Sequence, residues 1–272
     1  MKKKIVIITS KSLRHKYFRV FLSNQEGINV LKTVCEDGNK KLKNLKKNYG
    51  LKANLLAKHI LDRDKSEKDF FKSYLKNTKD KSNNINRKNG FSSSTSFLKL
   101  VKSLKPDLII VYGSSIIRGE ILNLYKNKIL NLHLGLSPYY RGSGTNLFPF
   151  VNNEIQYVGA TFMLLDRTID NGKIIHQEQA KVYKNDNIHK IGNRLILQMF
   201  EVYKELILNY NKIKIKNKKK NNIEVNKVYK RKDFNLAAIK KLRRNLKNNI
   251  IEKYLKSKNN KKLPLIKQKW IN

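Results

Sequence analysis

Lys128-Ile-Leu-Asn-Leu-His-Leu134 is the stretch from which the fold is read. Leucines at 130, 132 and 134 alternate with Asn131 and His133. Alternation of this kind is the period of a β-strand, whose successive side chains point to opposite faces. The leucines therefore share one face, and the amide and the imidazole share the other. A neutral amide donor and a titratable ring then converge where a strand runs into a loop, Ser137-Pro-Tyr-Tyr-Arg-Gly142. That pair suits stabilising and protonating a developing oxyanion. A carboxylate such as Asp170, in Asp170-Asn-Gly172, can orient the ring and raise its pKa.

Upstream, Pro106-Asp-Leu-Ile-Ile-Val-Tyr112 reads as a buried strand ending at Gly113-Ser-Ser115, and residues 116 to 126 lead on by a helical segment. Strand, helix and strand within about 30 residues make a βαβ unit. Ile5-Val-Ile-Ile8 is a further continuous apolar strand, as parallel sheets covered on both faces require. Residues 14–22, 51–75 and a segment from the Ser92–Ser94 cap to Leu104 read as helices, residues 28–31 as a strand, and the polar stretch 76–90 as loop. Residues 158–165 and 173–182 are β-rich. A strong amphipathic helix spans 188–210. The expected fold class is α/β: a Rossmann-like, open, mostly parallel sheet with helices on both faces over residues 1–210. A basic linker and a mainly helical extension occupy 211–272, with residues 228–234 extended and a last helix capped by Asn235. Open sheets of this type bind ligands beyond the carboxyl ends of their strands.

The net charge of +40 raises a nucleic-acid or membrane reading. Lysine supplies 49 of the 60 basic residues and arginine only 11, with 34 asparagines. Phosphate recognition favours the bidentate arginine fork. A lysine–asparagine surplus along the whole chain reads as coding bias, and no dedicated nucleic-acid partner is expected. The single cysteine, Cys35, excludes an internal disulfide and points to a reducing, cytoplasmic setting. The apolar run at 5–8 is too short for a signal-peptide core, and no run reaches membrane length. His15, His59, His176 and His189 lack metal-ligand spacing, so no metal site is expected.

Four pieces in order, Asn131-Leu-His133, Pro138-Tyr-Tyr-Arg-Gly142, Gly159-Ala-Thr161 and Asp170-Asn-Gly172, resemble the 10-formyltetrahydrofolate-dependent formyltransferases. The match is best over about residues 106–180. The resemblance implies formyl transfer from 10-formyltetrahydrofolate, as co-substrate, to a primary amine. Asn131, His133 and Asp170 would be catalytic. The pteridine would be clasped, largely through backbone groups, at Ser115, Ile116, Ile117, Ile129, Leu165 and Asp166. Ser10, Lys11, Ser12 and Arg14 follow the first strand, where an acceptor phosphate would sit, and Arg141 is a further candidate. Each has a plainer reading. His133 can be a strand histidine satisfied by backbone, Asp170 can simply hold an Asn-Gly hairpin, and the loops can be solvated or packed.

The chain departs from the family pattern at Leu134, where proline is common, and at Leu136-Ser-Pro138. The first strand lacks the glycine-rich loop of the glycinamide ribonucleotide enzymes. The 62 residues after position 210 look helical, unlike the C-terminal β-barrel of methionyl-tRNA formyltransferases. The hydrolases of the family carry a preceding regulatory domain, whereas here the first strand begins at residue 4 or 5. The expected acceptor is therefore a small anionic amine, a nucleotide-linked amino sugar. A tRNA or glycinamide ribonucleotide acceptor is the alternative, and a non-enzymatic polyanion-binding protein is the rival from another class.

Overall fold

The computed structural model describes residues 1–37, 55–167, 172–215, 226–257 and 263–271. From the N-terminus the chain builds β1 (Lys3–Ser10), α1 (Leu13–Ser23), β2 (Ile28–Glu36), α2 (Leu55–Asn77), β3 (Asn84–Arg87) and α3 (Thr95–Leu104). There follow β4 (Leu108–Tyr112), α4 (Ile121–Leu124), β5 (Ile129–His133), β6 (Tyr140–Gly142), α5 (Phe148–Val151), β7 (Gly159–Leu164) and β8 (Ile174–Gln179). The described chain closes with α6 (Ile188–Leu208), β9 (Lys227–Tyr229), α7 (Leu236–Lys247) and α8 (Ile250–Lys256). Seven strands make one sheet in the order β3-β2-β1-β4-β5-β7-β8. The first five are parallel to their neighbours, while β7 runs antiparallel to β5 and β8. This is the expected Rossmann-like sheet.

Burial explains the arrangement. Ile5, Val6, Ile7 and Ile8 are all fully buried, so β1 has no face to offer solvent and lies inside the sheet. Ile5, Ile7, Leu108, Ile110, Leu130 and Leu132 face one layer, formed by α1, α2, α6, α7 and α8. Val6, Ile8, Ile109, Val111 and Ile129 face the other, formed by α3 and α4. Each fully buried aliphatic side chain contributes roughly 1.5–3 kcal/mol. Leu130 and Leu132 thus lie on the face opposite Ile129, and the 2-residue period carries Asn131 and His133 to the side of Ile129.

The structure departs from the sequence reading at several elements. The polar stretch 76–90 contains β3, paired with Thr33–Glu36 at the sheet edge. Asn-Ile-Asn-Arg has no apolar alternation because an edge strand facing solvent needs none. The helical segment expected over 116–126 is one turn, 121–124. The last helix breaks at Asn249, whose φ of 53° is left-handed, into α7 and α8. Residues 231–233 form a 3₁₀ turn within the stretch expected to be extended. Ser94, by contrast, caps α3 through Phe97 N–H at 3.1 Å, and Asn235 caps α7 through Ala238 N–H at 3.1 Å.

The C-terminal segments share the main core. Ile239, Leu242, Ile250 and Ile251 join the same buried cluster as α6. The final segment lies against β8, where Ile266 and Gln268 exchange hydrogen bonds with Gln177, His176 and Ile175 at 2.7–3.1 Å.

Where β4 and β5 run out, Tyr203 of α6 spans the gap. Its fully buried hydroxyl accepts from Val111 N–H at 3.1 Å and donates to the Leu130 carbonyl. Removing it strands both groups in a dry site, where an unpartnered polar group costs about 1–3 kcal/mol. Tyr203→Phe is expected to lower unfolding stability by about that amount in urea titrations. A change below a few tenths of a kcal/mol would show that the bridge contributes nothing.

Candidate active site

The strand order reverses between β1 and β4, so their connections leave on opposite faces and a crevice opens at their carboxyl ends. Most of the candidate residues sit around this crevice or at the end of the neighbouring β5.

His133 closes β5 at 8% exposure. Its Nε2 lies 3.2 Å from the Tyr140 carbonyl and 3.3 Å from Thr145 Oγ1. Thr145 Oγ1 donates to the Leu134 carbonyl at 2.5 Å. A carbonyl only accepts, so Nε2 carries a hydrogen. Gly135 allows the ring to sit there: a Cβ at this position would fall 2.6 Å from Nε2 and 2.7 Å from Thr145. Asn131 is half-buried and faces Val111 and Met163 in the ladder, with His133 opposite Thr161.

Thr161, from the Gly-x-Thr piece, braces the turn after His133. Its Oγ1 donates to the Gly135 carbonyl at 2.7 Å and accepts from Ser137 N–H at 3.0 Å. Gln177 Nε2 donates to the Ser137 carbonyl at 2.7 Å. The Ser137–Pro138 bond is cis. Gly159 is required because a Cβ would meet the Glu178 carbonyl at 2.4 Å and Leu136 at 2.7 Å.

Asp170 lies outside the described residues, with Thr168, Ile169 and Asn171. The ends of its loop are fixed. Leu165 N–H donates to the Ile129 carbonyl at 2.9 Å, and Gly172 packs so tightly on the Leu164 carbonyl that a Cβ would lie 1.8 Å from it.

The pteridine candidates fall into separate places. Leu165 and Asp166 line a 260 Å³ cavity with Leu122, Asn123, Arg167 and Lys173. Ile129 is buried within β5. Ser115, Ile116 and Ile117 lie on the loop after β4, with Ile116 exposed and Ile117 buried. The Ser115 amide already donates to Glu36 Oε2 at 2.7 Å, and the Ser115 carbonyl accepts from Ser114. Glu36, fully buried at the end of β2, also accepts from Ser92 N–H and Oγ at 3.0 and 2.9 Å. It ties the loop after β4 to residue 92, and sequence reading missed it. The available signal was an acid directly after the apolar pair Val34-Cys35.

The acceptor candidates also diverge. Lys11 pairs with Asp37 at 2.7 Å, and Ser10 ends β1. Arg141 donates to Asn226 at 2.9 Å, which carries it toward the C-terminal extension, away from Arg14. Arg14 instead enters a group that sequence reading did not assemble. Its Nη1 lies 3.5 Å from Glu67, and Arg63 Nε lies 3.7 Å from the same carboxylate. Tyr112 Oη, Arg14 Nε and Arg63 Nε are buried without a hydrogen-bond partner among the described residues. His15 stacks on Tyr112 at 4.7 Å, bonds Ser12 Oγ at 2.5 Å, and fills the space that a Cβ at Gly113 would need. Two guanidiniums thus share one carboxylate beside the crevice. Burial, with the Arg14 charge, draws Arg63 down to about 10, and burial pushes Tyr112 up to about 12. Burial also holds His15 well below the usual imidazole range, with Arg14 and Arg63 adding to the effect. Among the described residues, no cluster of three or more His, Cys, Asp or Glu side chains could hold a metal ion, and no helix is long and apolar enough to cross a membrane.

Against known families, residues 3–207 match the model described as formyl transferase. The chain belongs to the formyl transferase family. It is 33% identical over 113 residues to the methionyl-tRNA formyltransferase of Thermodesulfovibrio yellowstonii, covering 41% of this chain and 36% of that protein. It is 30% identical over 126 residues to the GDP-perosamine N-formyltransferase of Brucella melitensis, covering 46% of this chain and 48% of that protein. The chain thus spans about a third to a half of the length of these curated relatives. Among solved structures, the phosphoribosylglycinamide formyltransferase from Anaplasma phagocytophilum superposes with a TM-score of 0.54 at 14% identity, over 85% of this chain and all of that one. A 4-N formyltransferase from Francisella tularensis gives 0.51 at 19% identity, over 85% of this chain and 77% of that one. At these identities the structural matches establish the fold.

The buried imidazoles of this chain predict an acid response. His15, His59 and His189 are all depressed, burial being the largest cause in each, and His59 reaches about 3. In the unfolded chain they titrate near 6.5, so the unfolded state binds more protons as pH falls. Their contribution to stability is complete above pH 6.5 and declines as pH drops toward about 3. His59→Gln is expected to flatten that decline in urea midpoints measured from pH 7 to 4. A wild-type profile already flat over this range would contradict neutral buried rings.

Proposed function

We propose that this chain transfers a formyl group from 10-formyltetrahydrofolate to a primary amine on a small anionic acceptor, a nucleotide-linked amino sugar. The observation that carries the acceptor is the Arg14–Arg63–Tyr112 group, with two guanidiniums on one carboxylate and three buried polar atoms that lack a hydrogen-bond partner among the described residues. An anion placed there satisfies donors that would otherwise stay unpaired, a stronger incentive than the diffuse lysine surface gives. Similarity to a GDP-perosamine N-formyltransferase supports the same class, while similarity to methionyl-tRNA formyltransferases keeps tRNA as the rival acceptor.

In this reading the acceptor amine attacks the formyl carbon, forming the new C–N bond while charge builds on the formyl oxygen. Asn131 and protonated His133 stabilise that oxygen. The bond to the folate nitrogen then breaks, His133 delivers its proton to the departing nitrogen, and the amine proton leaves through water to Asp170. Asp170 orients the ring as well. A well-placed oxyanion donor is worth ~10²–10³ in rate. The pteridine is assigned to the loop after β4 and to the cavity beside Leu165 and Asp166, since these flank β5 from its two sides.

Two outcomes are expected. His133→Ala and Asp170→Ala each abolish tetrahydrofolate release in the presence of a competent amine, and Asn131→Ala slows it by roughly 10²-fold, with circular dichroism unchanged. Near-normal turnover in His133→Ala or Asp170→Ala would remove the catalytic assignment. Arg63→Met is expected to raise KM for the acceptor about 10-fold or more, with the KM for the folate and kcat little changed. The acceptor itself is tested with a panel of amino-sugar nucleotides, glycinamide ribonucleotide and charged initiator tRNA. Formylation of the tRNA alone, or of glycinamide ribonucleotide alone, overturns the acceptor and leaves the catalytic residues standing.

A further inference from the structure

The carbonyl that accepts from His133 Nε2 belongs to Tyr140, and Tyr140 is held from the far end of the chain. β6 pairs in parallel with β9, Tyr140 opposite Lys227 and Gly142 opposite Tyr229. Lys227 N–H donates to the Tyr139 carbonyl at 2.9 Å, and Ser143 N–H donates to the Tyr229 carbonyl at 2.8 Å. The approach is so close that Gly142, at φ 89°, has no room for a Cβ: one would fall 2.1 Å from the Tyr229 carbonyl.

Side chains reinforce this pairing. Tyr140 is fully buried and its hydroxyl donates to the Glu154 carboxylate. Lys227 Nζ reaches both Glu154 oxygens at 2.6 and 2.7 Å. Asn152 Nδ2 donates to the hydroxyls of Tyr229 and Tyr140 at 2.6 and 2.9 Å. The Tyr229 ring stacks on Phe148 at 3.7 Å and 7°, and lies nearly parallel to Tyr140 at 5.8 Å. Thr145, the second oxygen at His133 Nε2, lies between β6 and α5, which β9 grips from both ends. α7 adds a clamp, since Asn245 Nδ2 donates to the carbonyls of Phe150 and Val151 at 3.0 and 2.9 Å.

We propose that Lys227 and Tyr229 are positioning residues for His133. β9 lies outside the residues matched by the family model, yet it fixes the backbone carbonyl that accepts from His133 Nε2 and so orients the ring. The Tyr229 stack holds the Tyr140–Phe148 span in place, and the Lys227–Glu154 pair locks Tyr140 from its hydroxyl end. Loosening either lets the Tyr140 carbonyl drift from Nε2. The ring then loses its fixed orientation, and its proton no longer points at the reacting atoms. This rests on the proposed catalytic role of His133.

The test uses the full chain with Tyr229→Ala, Tyr229→Phe and Lys227→Met, read by steady-state kinetics and by ¹⁵N-histidine NMR, with the His133 signals assigned by their loss in His133→Gln. Wild type is expected to hold the His133 Nε2 hydrogen in its bond to the Tyr140 carbonyl, giving one sharp Nε2 signal. Tyr229→Ala is expected to shift and broaden the His133 Nε2 signal and to lower kcat about 10-fold or more, with both KM values within about twofold, because small displacements of an acid–base group act on the chemical step. Tyr229→Phe keeps the stack and should retain most of kcat. Lys227→Met, the milder lesion, should show the same change of the Nε2 signal even if Tyr229→Ala does not fold. An unchanged His133 Nε2 signal in Tyr229→Ala or Lys227→Met overturns the proposal, as does a loss confined to KM. If His133→Ala proves active, the catalytic reading fails, while the NMR comparison still decides whether β9 orients the ring.

Discussion

The burial of β1 on both faces is the constraint on which the rest depends. Four consecutive aliphatic side chains at zero exposure can be accommodated only if helices cover each side of the sheet. Once β1 is central, β2 and β4 must flank it, and the chain must leave β1 and β4 toward opposite layers. The crevice between their carboxyl ends follows from that divergence, and it collects polar groups because backbone pairing stops there. Arg14, His15 and Tyr112 lie at this point for topological reasons before any chemical one.

The same geometry explains why the site uses the small residues it does. Gly113 yields its side-chain space to His15, Gly135 to His133, and Gly142 to the Tyr229 carbonyl. In each case a missing Cβ lets an imidazole ring or a backbone strand come within van der Waals contact of the main chain. Thr161 and Gln177 brace the 135–137 turn from β7 and β8, the antiparallel side of the sheet. The parallel half therefore supplies His133 and the crevice, and the antiparallel half stiffens the turn that follows the histidine.

The C-terminal extension is part of this economy. Its helices complete the core on the α6 side, its final segment pairs with β8, and β9 closes over the loop that follows His133. The +40 charge is then compatible with a compact folded body: Lys227 and Lys267 are in ion pairs with Glu154 and Glu178.

The sequence by itself determined the sheet and the pairing of Asn131 with His133 on one face. Both are written in local periodicity, since apolar runs mark doubly covered strands and alternation marks faces. It marked the caps at Ser94 and Asn235, which depend on residues three positions away. It did not reveal β3, because a polar edge strand lacks the pattern of burial. Nor could it pair Glu36 with Ser115, Arg63 with Arg14, or Tyr229 with Gly142. These contacts join positions 79, 49 and 87 residues apart in the chain. No local period encodes such separations. Only the packing of α2 beside α1, and the return of β9 onto β6, brings them together.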